Sequence, residues 1–180
     1  VDLFKDEIFV FTPAGDVTPL PVKSTPIDFA FQVHTQVGVH CIGAKVNGKI
    51  VPLNMVLKNG DSVEILTSNT QKPSYAWLKF VQTGKAKSHI KRWVKKEQTE
   101  QSIKLGKEII EKTLRRMKRK SILEDLQSKP QALGYDQVES IYSALANGQL
   151  SVREIIEKYE PPSLEEQEKG MQEPTLTERL

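Results

Sequence analysis

The chain has 180 residues, a formal net charge of +3 and 38% hydrophobic residues, enough for one or two small domains. Cys41 is the single cysteine, which excludes an internal disulfide framework and fits a reducing compartment. No apolar run reaches membrane-spanning length and no signal-peptide pattern opens the chain, so we predict a cytoplasmic protein without a membrane partner. Because the first residue is Val1, we expect a fragment of a larger protein.

Residues 1–70 carry the alternation and turn signals of a small sheet with one helix. The predicted order is β-β-α-β-β-β, with the helix beginning after Thr25 at Pro26 and with Asp28 as a capping-box partner. Asn47-Gly48 is a strong hairpin signal between two of the strands. The sequence therefore predicts an α+β fold that begins with a β-grasp domain.

Beyond the polar segment before Pro73, the hydrophobic period becomes helical. We predict an all-α domain over residues 73–160, with Trp77 and Trp93 as core anchors rather than base-stacking platforms. Ser151 and Glu154 form a capping box for its last helix. Residues 161–180 are acidic and contain proline, so we expect a linker or a disordered tail.

The first helix presents two apolar stripes. Phe29, Ala30, Val33 and Val37 fall on the stripe that we expect to face the sheet. Phe31 and His34 then project beside the edge of the core, where they could stack on or hydrogen-bond an unpaired nucleobase or a ribose. The alternative is that Phe31 widens the buried stripe and His34 is a histidine at its rim.

Basic residues are concentrated between Lys79 and Lys120, where 15 lysines and arginines stand against 4 glutamates. This segment has a net charge of +11, and the rest of the chain has a net charge of −8. Such a concentration is typical of a phosphate-rich partner, and the alternative is a solvated helical surface. The candidate phosphate contacts are Lys85, Lys87, Lys91, Arg92, Lys95, Lys96, Arg115 and Arg116.

The sequence offers little for catalysis. Its three histidines form no metal-ligand spacing with Cys41, and neither a phosphate loop of the GxxxxGK[ST] type nor a GxSxG motif is present. We therefore predict a binding module with no catalytic residues, no metal ligands and no cofactor of its own.

Four segments together resemble the TGS domain of the long RelA/SpoT (Rel) proteins: EIFVFTPAGDVTPLP, STPIDFAFQVHTQVG, IGAKVNGKIVPL and GDSVEILTS. PSYAWLKFVQTGKAKSHIKRWVKKE and GYDQVESIYSALANGQLSVREII are similar to the adjoining helical domain of these stringent-response enzymes, which make and hydrolyse (p)ppGpp. The resemblance covers about residues 1–160. In such proteins the hydrolase and synthetase domains precede this region, so the resemblance implies a regulatory, non-catalytic role.

The resemblance also implies partners. It implies that the TGS domain recognises the 3′ CCA end of a deacylated tRNA on the ribosome, and that the helical domain contacts large-subunit rRNA and the tRNA. It places the histidine that contacts this end at His34, with Gln32, Thr35 and Gly38 nearby. Phe31 completes the candidate set for the tRNA end because its helical spacing puts it beside His34.

Two alternatives remain open at this point. The region could bind acyl carrier protein, or it could restrain the catalytic domains of the same chain. The resemblance further implies that the parent enzyme uses Mg²⁺ and Mn²⁺.

Overall fold

The computed structural model describes residues 6–161, and their packing separates two compact units. The first unit runs to Glu97 and the second begins at Gln98, inside the long helix α3 (Gly84–Arg116). Apart from Pro161, the predicted acidic tail lies outside the described residues. The domain ranges 1–70, 73–160 and 161–180 stay a prediction.

The first unit contains a two-stranded and a three-stranded β-sheet. Strand β1 (Glu7–Phe11) pairs antiparallel with β2 (Val17–Pro21), and β3 (Cys41–Val46) lies between β4 (Lys49–Val51) and β5 (Val63–Thr67). A parallel bridge from Phe11 to Ser62 brings β1 beside the start of β5. Asn47 and Gly48 have φ angles of 52° and 81°, as the predicted tight hairpin between β3 and β4 requires. The predicted α+β class with a β-grasp domain is confirmed.

The predicted single helix after Thr25 is wrong in its length, because two short helices take its place. Helix α1 (Pro26–Val33) ends at His34, whose backbone is extended at φ −165° and ψ 144°, and α2 (Thr35–Val39) follows directly. The His34 imidazole supplies the reason, since its Nδ1 accepts a hydrogen bond from the backbone N–H of Gln36 and caps the second helix.

The assignment of apolar stripes on α1 is also wrong in part. Of the four residues expected to face the sheet, Phe29 packs in one core with residues of the strands, but Val33 is 47% exposed. Ala30 and Val37 pack instead with Ile27 and Phe31, which are completely buried. The reason is a second core on the other face of α1. Residues of α1, α2 and β3 contribute to it, together with residues far along the chain, namely Trp77, Val81, Ala86 and Ile90.

Trp77 belongs to a 3-10 helix (Tyr75–Lys79) rather than to the predicted α-helix. The indole ring of Trp77 is buried in the second core and that of Trp93 packs against it, so both are core residues as predicted.

The second unit is helical. The C-terminal half of α3 packs with α4 (Ser121–Ser128), α5 (Val138–Ala146) and α6 (Val152–Tyr159), around a core that includes Ile110, Leu114, Ile122, Leu126, Ile141 and Ile155. Ser151 and Glu154 form the predicted capping box at the start of α6. Within residues 6–161, no helix combines the length and the apolar character needed to cross a membrane.

Candidate nucleic-acid interface

His34 is an exposed side chain at the junction of α1 and α2. The backbone N–H of Gln36 donates to its Nδ1 at 3.0 Å, and the backbone N–H of Gly38 donates to its carbonyl oxygen at 3.1 Å. Because Nδ1 accepts a hydrogen bond, the neutral ring carries its proton on Nε2. No residue of the described part of the chain bonds Nε2. The junction therefore presents an N–H donor to an external group.

The other residues assigned to the tRNA end lie in different surroundings. Gln32 is exposed and Thr35 is half-buried, so both side chains are accessible next to His34. Phe31 and Gly38 are buried. The expectation that the Phe31 ring projects at the edge of the core is therefore wrong, because that ring lies inside the second core of the first unit.

The Phe31 ring stacks on the imidazole of His89, which is half-buried on α3. The ring centroids are 5.9 Å apart and the planes differ by 2°. Gly38 packs against the same phenyl ring so closely that a Cβ at this position would lie 2.7 Å from Phe31 Cδ2. His89 and Gly38 thus confine Phe31 from two directions, and Phe31 is a support of the site rather than a contact surface.

Asp28 connects the start of α1, by hydrogen bonds, to residues 82–83, which directly precede α3. Its side chain is completely buried and accepts hydrogen bonds from the backbone N–H and hydroxyl of Thr25 at 2.9 and 3.0 Å. It also accepts from the backbone N–H of Gln82, and from both the N–H and the hydroxyl of Thr83, at 2.9 to 3.1 Å. The Thr83 hydroxyl in turn accepts from the N–H of Ala86 in the first turn of α3. The capping-box pattern indicated only the Thr25 part of this network.

The predicted basic residues are exposed along α3. Lys85, Lys87, Lys91, Arg92, Lys95 and Lys96 belong to the same unit as His34, whereas Arg115 and Arg116 belong to the other unit. Lys85 precedes His89 by four residues and Arg92 follows it by three, so these two cations lie on the side of α3 that meets Phe31. This arrangement places positive charge near the junction that carries His34.

Cys41, at the start of β3, is buried and its thiol donates to the carbonyl oxygen of Gly43 at 3.6 Å. Burial raises the pKa of this thiol to about 11 from an ordinary value of 9.0. Since the thiolate is the nucleophilic form, Cys41 is a small core residue and not a reactive thiol. Among residues 6–161, no group of three or more His, Cys, Asp or Glu side chains is placed to hold a metal ion.

We expect native Cys41 to react with a disulfide reagent at about pH 8 at least about 100-fold more slowly than the same thiol in urea. The raised pKa favours the protonated thiol in the folded state, so its contribution to stability is complete below about pH 9 and is lost as the pH rises through about 11. A thiol titration with and without urea measures the ratio, and the unfolded sample should release one equivalent. Similar rates in both samples would contradict burial of the thiol.

Comparison with known proteins agrees with this architecture. Residues 8–67 match the TGS domain, and residues 93–160 match the RelA/SpoT AH domain. The chain is 45% identical over 168 residues to a guanosine-3′,5′-bis(diphosphate) 3′-pyrophosphohydrolase of Aquifex aeolicus, a match covering 93% of this chain and 24% of that protein.

Two further relatives have related names. A GTP pyrophosphokinase of Myxococcus xanthus is 55% identical over 116 residues, which cover 64% of this chain and 15% of that protein. The bifunctional (p)ppGpp synthase/hydrolase RelA of Mycobacterium tuberculosis is 40% identical over 163 residues, covering 87% and 22%.

The chain therefore belongs to the RelA/SpoT family, of which it carries the TGS and AH domains. It spans less than a quarter of the length of the three relatives described.

Proposed function

We propose that this chain is a regulatory, non-catalytic region of a (p)ppGpp synthetase/hydrolase of the stringent response. In this proposal the TGS domain senses the 3′ CCA end of a deacylated tRNA on the ribosome, and the helical region contacts rRNA and tRNA. The observation that carries it is the exposed His34 ring, whose Nδ1 is occupied within the chain while Nε2–H points outward without a partner in residues 6–161.

An N–H donor at this position suits the ribose of a terminal adenosine. A deacylated tRNA ends in a ribose with two free hydroxyl groups, and either oxygen can accept from Nε2. An aminoacyl ester leaves one hydroxyl free but adds bulk beside both oxygens. This bulk would hold the ribose away from Nε2 and leave the desolvated donor unpaired.

The exposed basic residues of α3 support the second part of the proposal. Lysine and arginine side chains spaced along a helix neutralise phosphates and give affinity without choice of sequence. Because Lys85 and Arg92 share a side of α3 with His89, they are suited to the phosphates that precede the tRNA terminus.

We expect this chain to bind ribosomes holding a deacylated A-site tRNA about tenfold more tightly than ribosomes holding an aminoacylated one. His34→Ala should remove this preference, because it removes the donor. Arg92→Ala should weaken binding to both complexes by a similar factor, because phosphate contacts do not depend on the 3′ group. Equilibrium binding with a fluorescently labelled chain measures each affinity.

Gln36→Ala is the matched control, because the Gln36 side chain is exposed and the variant keeps the backbone N–H that donates to His34 Nδ1. It should retain the preference for deacylated tRNA. Equal affinity of the unmodified chain for the two ribosomal complexes would contradict the sensing proposal.

Acyl carrier protein is the alternative partner, and the exposed cations of α3 favour it because oppositely charged surfaces attract. Retention of the carrier protein after ribonuclease treatment, unaffected by His34→Ala, would support this alternative. The use of Mg²⁺ and Mn²⁺ by the parent enzyme stays a prediction about the longer protein. The same holds for the restraint of its catalytic domains by this region.

A further inference from the structure

We propose that His89 is a positioning residue for His34, acting through the Phe31 ring and Gly38. This inference deepens the proposed function and rests on it where tRNA affinity is concerned. The geometric part, that His89 fixes the state of the His34 imidazole, can be tested without tRNA.

The first step is the contact between α3 and α1. His89 is half-buried on α3, and its imidazole lies parallel to the completely buried ring of Phe31 with centroids 5.9 Å apart. This separation is within the range of offset aromatic stacking, which contributes beyond simple burial of area. The stack therefore supplies the flat contact that orients the plane of the Phe31 ring within its core.

The second step is the contact between Phe31 and α2. A Cβ on Gly38 would come within 2.7 Å of Phe31 Cδ2, and nearer still to two other ring carbons, so the backbone of α2 rests directly on the ring. The Gly38 N–H donates to the His34 carbonyl oxygen at 3.1 Å, which closes the turn of α2 that starts at His34. Any movement of the Phe31 ring is therefore passed to this turn.

The third step is the imidazole itself. The Gln36 N–H can donate to Nδ1 of His34 only while α2 begins directly after His34, whose backbone is extended. That bond places the proton on Nε2. Loss of the flat partner of Phe31 would free the ring, loosen the turn and let the proton exchange between the two ring nitrogens.

His89→Leu replaces the flat ring with a branched apolar side chain of similar size, and His89→Phe restores a flat ring at the same position. Long-range ¹H–¹⁵N NMR spectra of the full chain at about pH 8, where an ordinary imidazole is neutral, report the tautomer of His34. We expect a single Nε2–H form in the unmodified chain and in His89→Phe, and a mixture of tautomers in His89→Leu. Ser88→Ala, at the exposed neighbouring position, is the control and should match the unmodified chain.

Gly38→Ala perturbs the same ring through its contact with α2 and serves as the second variant if His89→Leu does not fold. It should produce the same mixture of tautomers. An unchanged single tautomer in whichever of the two variants folds would overturn the positioning role, whatever the tRNA affinity.

The tRNA readout separates this inference from the proposed function. If sensing holds, His89→Leu should lower affinity for the deacylated complex by about two- to tenfold, the range for one hydrogen bond, and His89→Phe should restore it. If the unmodified chain fails to distinguish the two tRNAs while the tautomer still depends on residue 89, sensing fails and positioning stands.

Discussion

Replacing Asp28 with alanine is expected to lower the free energy of unfolding of the first unit by about 3 to 5 kcal/mol. The buried carboxylate accepts five donors, three of them backbone N–H groups of Thr25, Gln82 and Thr83. Alanine leaves these donors without their acceptor at a completely buried position. Each unsatisfied buried donor costs about 1 to 3 kcal/mol, and partial entry of water reduces the sum.

Urea denaturation followed by native-state hydrogen exchange measures this loss. The amides of Gln82 and Thr83 should exchange much faster in Asp28→Ala, although they lie outside the helices and strands. Asp28→Asn should also destabilise the unit, because its NH₂ group would face donors. Asp16→Ala, at an exposed turn carboxylate that accepts no hydrogen bond within residues 6–161, should change stability by less than about 0.5 kcal/mol. A stable Asp28→Ala variant would disprove the role of the network.

Replacing Gly106 with alanine is expected to destabilise the second unit by about 2 to 4 kcal/mol. Gly106 is buried where α3 meets α5, and a Cβ there would collide with the carbonyl group of Tyr142 and lie 2.8 Å from its Cα. The obstacle is backbone, which has no rotamer to change, so the two helices would have to separate. The gain in helix propensity of about 1 kcal/mol is too small to compensate.

Gly84→Ala is the matched control, because Gly84 begins the same helix and nothing lies within 4 Å of an added Cβ. This variant should be neutral or more stable by up to about 1 kcal/mol. Hydrogen exchange of amides in α5 reports the second unit separately. Equal protection in Gly106→Ala and the unmodified chain would show that the helices tolerate the added methyl group.

Local signals in the sequence predicted the local features. Asn47-Gly48 predicted a hairpin because few other residue pairs accept two positive φ angles, and Ser151 with Glu154 predicted a helix start.

Contacts between distant residues were not predictable in the same way. Phe31 is buried by residues that come more than forty positions later, and the period of one helix does not reveal what packs on its second face. The break at His34 was missed because a histidine side chain capping the next helix leaves no mark in the hydrophobic pattern. The bonds from Gln82 and Thr83 to Asp28 span 54 and 55 positions, so no local pattern indicated them.

The second core of the first unit has a consequence for recombination between proteins. The TGS match ends at residue 67, but Trp77, Val81, Ala86 and Ile90 complete the core that buries Phe31. A gene cassette that stopped at the end of the match would leave this flank of α1 bare and prone to aggregation. A transplantable module has to continue to about Glu97, and it then carries six cations of α3 with it. Recombination of such a module would transfer the His34 junction and the neighbouring positive charge together.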